Sequence, residues 1–476
     1  MKIVPVNWLH GIAIALMVGV IGAASIKPRT PQSDEYVYLG YAYGLAKYGT
    51  FGLVSRPSAG ISPEPSSLIA PLVPAIHALA MSMSPRFLDE TKCLLAKRPA
   101  EGDSCTHTSI IPNVIQLLLW SLCLAWVAAQ IGTISRQWSL AYLVTGFILV
   151  SGALFEYINQ FNSEGIYLPV FFVFLTAFAR GFTEDSLRHW ILAATALAVC
   201  TLTRPVFFYL FCLLVPLFIL AILVRRRDST MGAQLRGLAV FALVFSVVIG
   251  PWIVRNIDLY GKPTLTVGYG VQSLYQRIAY NGMTPAEYRA GWIYWLPDFG
   301  DSLARRLFEP SSYRRLDLGY AHGFYREGAR MIREDIEKRT GLPVSNYAQG
   351  DPRVEAGWIF REYILGDWFT HLKVTTVLFW RGVMLNSYFG MVGLILMVWA
   401  IATGISGLQR PVFLVTVTVT TLLSLFYAFV SLNIARYSAP MILPMSMAYA
   451  ALADRIIKRV QDCNAQSLTT LDDDRL

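Results

Sequence analysis

At 476 residues, of which 55% are hydrophobic, 15% charged and 13% aromatic, and with a mean hydropathy of +0.47, the chain has too little charge to solvate itself, since soluble domains run near 25%. That excludes an ordinary cytosolic enzyme. The excess of 40 Lys and Arg over 31 Asp and Glu, a net charge of +9, would direct a soluble protein toward nucleic acid, but here membrane orientation is the first account to test.

In chain order, apolar runs lie near residues 6–26, 110–131, 138–155, 166–179, 190–203, 205–224, 236–254, 388–406, 411–430 and 438–453. Most are about 17 to 22 residues, the length that crosses a bilayer core. The pattern predicts an all-α polytopic membrane protein with about ten transmembrane helices. The first run reads as a span or as a signal peptide, since Gly22-Ala23-Ala24 resembles a small-residue cleavage site; the remaining topology is the same either way.

Residues 67–83 are ambiguous, being short and holding Pro71, Pro74 and His77. The preference of Lys and Arg for cytoplasmic loops decides the matter. If 67–83 does not cross, Arg136, Arg180, Arg188, Arg225, Arg226, Arg227, Arg236, Arg410, Arg455, Lys458 and Arg459 all face inside. Counting it as a span would put the 225–227 cluster outside. It is therefore laid along the outer face as an interfacial helix. Residues 369–385, with His371, Lys373 and Arg381 beside Trp368, Phe379 and Trp380, also read as interfacial, because charge at bilayer depth is costly.

The resulting organisation is an N-terminal transmembrane module (1–254) whose first outer loop (27–109) carries catalysis, then a small, mostly helical outer-face domain (255–387). The C-terminal transmembrane helices (388–460) and a polar, disordered cytoplasmic tail (461–476) complete it. Residues 313–340 form one long charge-rich helical pattern ending at Gly341. This topology places the protein in the cell inner membrane as a multi-pass protein with its chemistry facing the periplasm, and no nucleic-acid partner is needed to explain the basic excess. No internal repeat, low-complexity stretch or Gly-rich phosphate loop is visible. Cys93 and Cys105 share the first outer loop, where an oxidising compartment permits a disulfide. Zinc is the rival reading because His107 is near, although one His and two Cys make no recognisable site.

Directly after the first run, Tyr36, Leu39, Tyr43 and Ala46 recur at helical spacing. They predict a helix lying flat with tyrosines at headgroup level, capped by Ser33 and ended by Gly49. Asp34 then sits in the first turn at the membrane surface, where a carboxylate reaches both headgroup and water; Asp34 and Glu35 equally suit a helix N-terminus with no further role. Arg255 follows Pro251-Trp252-Ile253-Val254 and precedes Asn256, with Gly261-Lys262 shortly after. Arg204 lies in the turn between the fifth and sixth runs, and Arg436 in Asn433-Ile434-Ala435-Arg436-Tyr437-Ser438-Ala439-Pro440 before the last. All three sit on the side that the orientation rule disfavours. Either they grip an anionic headgroup with a planar fork or they snorkel to bulk lipid. Glu164 occupies the outer turn before the fourth run.

The order of these motifs resembles the GT-C fold of membrane glycosyltransferases: a span, an acidic pair opening an aromatic helix, a proline-rich stretch (Pro63, Pro65, Pro71, Pro74), the Pro-Trp-x-x-Arg-Asn turn and the Ala-Arg-Tyr-x-x-Pro lead-in to the last span. Members include dolichyl-phosphate-mannose:protein mannosyltransferases and the aminoarabinose transferases acting on lipid A. The resemblance implies a polyprenyl-phosphate-linked sugar as donor, drawn from among the membrane lipids, with Asp34 as catalytic carboxylate and Glu35 at the second acidic position. It places Arg255, Arg204, Arg436 and Lys262 on the donor phosphate, and Glu164, Asn256 and Tyr437 in acceptor or auxiliary positions. Transfer would invert the anomeric centre and deliver the sugar to a hydroxyl of a glycan, lipid or protein acceptor. The chain departs from the protein mannosyltransferases in lacking their His-Pro-Pro stretch, the nearest segment being Ser62-Pro63-Glu64-Pro65, and a large C-terminal soluble domain, so the acceptor is not carried over. No cofactor is certain; a divalent cation near Asp34, Glu35 or Glu164 is compatible with the superfamily, but the sequence shows no dedicated ligand cluster. The alternatives are a lipid-linked glycan flippase or transporter, which usually shows repeats and mid-bilayer charges, and a polysaccharide ligase or polymerase.

Overall fold

The computed structural model describes residues 8–57, 61–96, 105, 107–184, 186–224, 231–267, 269–340, 357–404 and 410–473. The Arg225–Arg227 cluster and Gly341, both used above, lie outside the described residues. Every regular element among those described is a helix. The first half contains α1 (Trp8–Ala23), α2 (Glu35–Tyr48), α3 (Leu72–Met83), α4 (Pro85–Ala96), α5 (Ile111–Ser135), α6 (Trp138–Val150), α7 (Ala153–Tyr157), α8 (Glu164–Glu184), α9 (Leu187–Thr203), α10 (Val206–Val224) and α11 (Met231–Tyr260). After it come α12 (Tyr269–Ala279), α13 (Pro285–Tyr294), α14 (Gly300–Leu307), α15 (Phe324–Thr340), α16 (Trp368–Val383), α17 (Tyr388–Thr403), α18 (Arg410–Val430) and α19 (Ile442–Asp473).

Each of the ten apolar runs contains a helix among its described residues. Among the described residues α5, α8, α10, α11 and α18 are long and apolar enough to cross a bilayer unaided, while α1, α6 and α9 are shorter apolar helices. The 12-residue α3, about 18 Å long at 1.5 Å per residue, is another of these shorter apolar helices. Helix α16 meets α17 at a bend of 110°. Helix α8 is the axis of the bundle: it packs on α5, α9 and α18 and is apolar and buried all round, with Phe171, Phe172, Phe174 and Phe178 inside, as expected of a central rather than a lipid-facing helix.

The two ends of the bundle can be told apart by their contacts. At one end, Lys458 Nζ donates to Gln137 Oε1 at 3.2 Å, Arg455 donates to the Gly404 carbonyl at 2.6 Å and His10 stacks on Trp138. These are segments that the charge rule places together on one side. At the other end lie Asp34, Glu164, Arg204 and Arg436, which the same rule places together on the opposite side.

Three local expectations are corrected. Residues 313–340 are not one helix: short 3-10 turns, Pro310–Ser312 and Arg314–Leu316, precede α15, which begins only at Phe324. The chain after residue 460 is not irregular, since α19 runs on to Asp473; its polar residues are compatible with helix once the apolar half nucleates it. Helix α2 does not present one exposed tyrosine face. Leu39, Gly40, Tyr41, Ala42, Tyr43 and Gly44 are all buried, because residues 50–54 cross its surface so closely that a β-carbon at Gly40 would sit 2.7 Å from the Val54 carbonyl oxygen and one at Gly44 2.5 Å from that of Gly52.

The described part of the loop domain is fastened to the bundle by a buried arginine. Arg277 Nε donates to the Ala428 carbonyl at 2.7 Å, Nη2 to the His371 carbonyl and Thr375 Oγ1 and Nη1 to Asn281 Oδ1 at 2.9 Å. One side chain therefore ties α12 to both α16 and α18. Burial holds its pKa down at about 9, and four acceptors satisfy the charge that no carboxylate meets.

Candidate active site

The turn into α2 separates its two acidic residues. Ser33 takes φ +46°, a left-handed conformation, and the cap position falls to Asp34, whose side chain makes no capping bond; the expected Ser33 cap is not formed. Gly49 ends the helix with φ +68°, the conformation glycine adopts without strain. Glu35 turns inward and is buried. It pairs with Arg29 and accepts from the Gln32 amide at 2.7 Å and the Phe161 amide at 2.9 Å, so its lone pairs are spent on holding the turn against residues 157–163. Asp34 is left 38% exposed, facing Arg436 with 3.5 Å between Oδ2 and Nη2.

Behind Asp34 is a buried ion cluster assembled from three further segments. Glu164, the first residue of α8, is buried and accepts from Arg204 Nη1 at 2.7 Å, while Arg436 Nε stands 3.9 Å from the same oxygen. Arg204 follows the last residue of α9, and its guanidinium lies over the rings of Tyr437, Tyr167 and Tyr427 at 4.6, 5.7 and 5.7 Å. Burial alone would lower the Arg204 pKa, but Tyr427 and Glu164 carry it well above the usual arginine value. Burial likewise opposes charge on Arg436, and Glu164 and Tyr437 outweigh it. Both stay cationic, so two carboxylates balance two guanidiniums and the cluster is neutral as a whole.

The pairs are nonetheless unequal. Arg204 is locked between a carboxylate and three aromatic rings, an arrangement in which cation–π contact adds to the ion pair. Arg436 is 30% exposed, holds Asp34 only at the long distance given above, and its Nε is buried with no hydrogen-bond partner. Partly exposed and paired with Asp34 only at long range, Arg436 is the cation with capacity to spare.

Arg255 sits in a different environment. Its Nη1 donates to Ser67 Oγ at 2.7 Å and Asn256 Oδ1 at 2.9 Å, its Nη2 reaches the carbonyls of Phe51 and Ser66, and it stacks on Trp252. Asn256 is fully buried; it accepts from Ser67 Oγ at 2.7 Å and donates to the Thr264 carbonyl at 2.8 Å. Together they clamp the proline-rich loop to the end of α11, and no hydrogen bond or ion pair among the described residues joins them to Asp34, Glu164, Arg204 or Arg436. Lys262 lies half-buried in the turn just after α11. Thus of the residues singled out in the sequence, Asp34, Glu164, Arg204, Arg436 and Tyr437 come together, Glu35 supports them from behind, and Arg255 and Asn256 do not join them.

Sequence reasoning missed Tyr38, Tyr167 and Tyr427. Tyr38 stands one turn beyond Asp34; burial, only partly offset by Arg204, pushes its pKa up to about 12, so it stays neutral. Its i, i+4 spacing from Asp34 was the available signal. Tyr167 and Tyr427 lie inside apolar runs and carried none. Cys93 and Cys105 are joined by a disulfide, Cα–Cα 5.9 Å. Among the described residues no group of three or more His, Cys, Asp or Glu side chains is placed to hold a metal ion. The acidic residues named for a divalent cation fit one poorly, because Glu35 and Glu164 are already engaged by guanidinium or amide donors, leaving Asp34 as the single open carboxylate.

No family model matches the chain, and no curated protein matches it. Among solved structures it is similar to the crystal structure of ArnT from Cupriavidus metallidurans bound to undecaprenyl phosphate, with 13% identity, 94% of this chain and 77% of that chain covered, and a TM-score of 0.40. It is also similar to the crystal structure of the same protein in the apo state, with 13% identity, 93% and 76% covered, and a TM-score of 0.38.

Proposed function

We propose that the protein is an integral-membrane glycosyltransferase that moves a sugar from a polyprenyl-phosphate donor to an acceptor hydroxyl, with inversion, at the periplasmic face of the cell inner membrane. The observation that carries this reading is the Asp34–Arg436 pair. A partly exposed carboxylate faces an under-satisfied guanidinium at one end of an apolar bundle, where a lipid-borne phosphate arrives with its sugar already in headgroup territory. Arg436 takes the donor phosphate with its planar fork. That contact draws Arg436 away from Asp34 and leaves the carboxylate available as a base. Asp34 accepts the proton of the acceptor hydroxyl as its oxygen attacks the anomeric carbon from the face opposite the phosphate. The bond from the anomeric carbon to the phosphate oxygen breaks, and polyprenyl phosphate departs with the electron pair, its charge stabilised by Arg436. No general acid is needed, because the leaving group is already a stable anion. Arg204 and Glu164 position Arg436 rather than touch the donor, and Arg255 and Asn256 hold the proline-rich loop, a reassignment from the phosphate role suggested for Arg255 and the acceptor or auxiliary role suggested for Asn256.

The test is a transfer assay with purified full-length protein in lipid nanodiscs, supplied with a polyprenyl monophosphate carrying a radiolabelled sugar and with extracted envelope glycans and lipids. Label appearing in a new glycosidic bond supports the reading. Movement of intact donor between leaflets without new bonds, or use of diphosphate-linked donors alone, overturns it in favour of a flippase or a polysaccharide ligase.

A further inference from the structure

Two arginines near the junction of the loop domain and the bundle are buried without a carboxylate, and they are not equivalent. Arg277 spends its guanidinium on four acceptors, as described above. Arg381, near the end of α16, is only 7% exposed, yet its Nη1 makes just two contacts, to Tyr280 Oη at 3.1 Å and to the Leu432 carbonyl at 3.5 Å. Its guanidinium carbon lies 4.9 Å from the centre of the Trp295 ring. Among the described residues Nε and Nη2 take no protein acceptor, and neither is sealed from solvent as the orphaned Arg436 Nε is. A charge buried this far and left this open is costly unless a partner arrives.

The position of Arg381 indicates which partner. Gly382 packs so tightly against Asn433 and Ser438 that a β-carbon there would strike both, and Asn433 Nδ2 donates to the Leu378 carbonyl at 3.1 Å. The end of α16 is therefore fastened to the turn that carries Arg436, and Leu432, an acceptor for Arg381, opens that turn. We infer that Arg381 is the anion-binding element of an acceptor subsite, and that it grips a phosphate or carboxylate group borne by the acceptor glycan. This rests on the glycosyltransferase reading for the word acceptor, and on the geometry alone for the oxyanion.

Full-length protein in phosphatidylcholine nanodiscs, titrated with inorganic phosphate by calorimetry, is expected to bind at least tenfold more tightly than the Arg381→Gln variant. Arg381→Lys, which keeps the charge but loses the fork, should fall between them. Equal binding by wild type and either variant overturns the site, and if Arg381→Gln does not fold, the lysine variant decides alone. Repeating the titration in nanodiscs containing phosphatidylglycerol separates the two sources. Undiminished phosphate binding keeps the site for an acceptor, whereas its loss assigns the site to a lipid headgroup and overturns the acceptor role. In the transfer assay, Arg381→Gln should raise KM for a phosphorylated acceptor about tenfold while KM for a neutral acceptor stays put; an equal rise in both counts against the proposal. A wild type that transfers no sugar removes the glycosyltransferase reading, and the phosphate titration still decides the anion site.

Discussion

Helix α8 carries a charge cluster at each end, and the two are built in opposite ways. At its C-terminal end, Arg180 and Glu184 lie one helical turn apart: Arg180 Nε donates at 3.0 and 3.1 Å to the two Glu184 oxygens and its Nη1 donates to Gln130. At its N-terminal end, Glu164 is met by Arg204 and Arg436, and Arg436 by Asp34, four residues from four separate segments. The local cluster satisfies the Arg180 charge within one helix and one neighbour. The assembled one leaves Arg436 and Asp34 partly exposed and paired only at long range, and that open capacity is what a substrate can use. A pair at i, i+4 closes a helix end at little entropic cost, whereas bringing four segments together for an incompletely satisfied set needs the whole fold to hold it.

The largest effect should come from the open carboxylate. Asp34→Asn keeps the volume and removes the base, so transfer is expected to fall by about 10² to 10⁴, the usual contribution of a positioned general base. Because Asp34 makes no cap bond and only a long ion pair, the unfolding midpoint should stay near wild type. Transfer within threefold of wild type would dismiss Asp34 as the base.

Next in size is the buried partner. Glu164→Gln leaves Arg204 and Arg436 without their shared carboxylate, and removing one member of a buried pair costs about 3 to 5 kcal/mol. Graded denaturant unfolding in mixed micelles measures it. A loss below about 1 kcal/mol, the worth of an exposed pair, would mean that the aromatic box around Arg204 carries the charge without Glu164.

A smaller effect lies behind Glu35, in the histidine that backs Phe161. His77 Nε2 is 3.3 Å from the Phe161 carbonyl, and burial, only partly offset by that bond, lowers its pKa to about 4. The unfolded chain takes up a proton near 6.5 while the folded one resists until about 4, so stability is full above pH 6.5 and falls as the pH drops toward 4. The whole window is worth about 3 kcal/mol. His77→Leu should flatten this part of the pH dependence relative to wild type, and parallel curves would exclude the histidine as its source.

How much of this could be read from the sequence follows the same division between local and assembled features. Which segments share an end of the bundle was legible because the charge rule is additive: each Arg or Lys votes separately, and the exceptions, Arg204 and Arg436, were found by being exceptions. Arg255 was an exception of the same kind and went elsewhere, since its acceptors, Ser67 and two backbone carbonyls, are brought to it only by the fold of the proline-rich loop. The face of α2 was misread because its periodicity marks which residues share a side but not that Gly40 and Gly44 let another segment cover it. Tyr167 and Tyr427 were invisible inside apolar runs, where tyrosine is ordinary.

The smallest expected effect belongs to the local cluster and sets the scale for the others. Glu184→Gln removes a partner that is 30% exposed, but Arg180 keeps Gln130 and gains the amide oxygen of the new glutamine, so the loss should be about 1 kcal/mol or less. Transfer should be unchanged, because this end of α8 lies about 30 Å from Glu164 along a 21-residue helix at 1.5 Å per residue. Equal destabilisation by Glu184→Gln and Glu164→Gln would show that burial of the pair, rather than its assembly from distant segments, determines what each cluster contributes. A loss of transfer in Glu184→Gln would place both ends of α8 in the chemistry and remove the distinction between them.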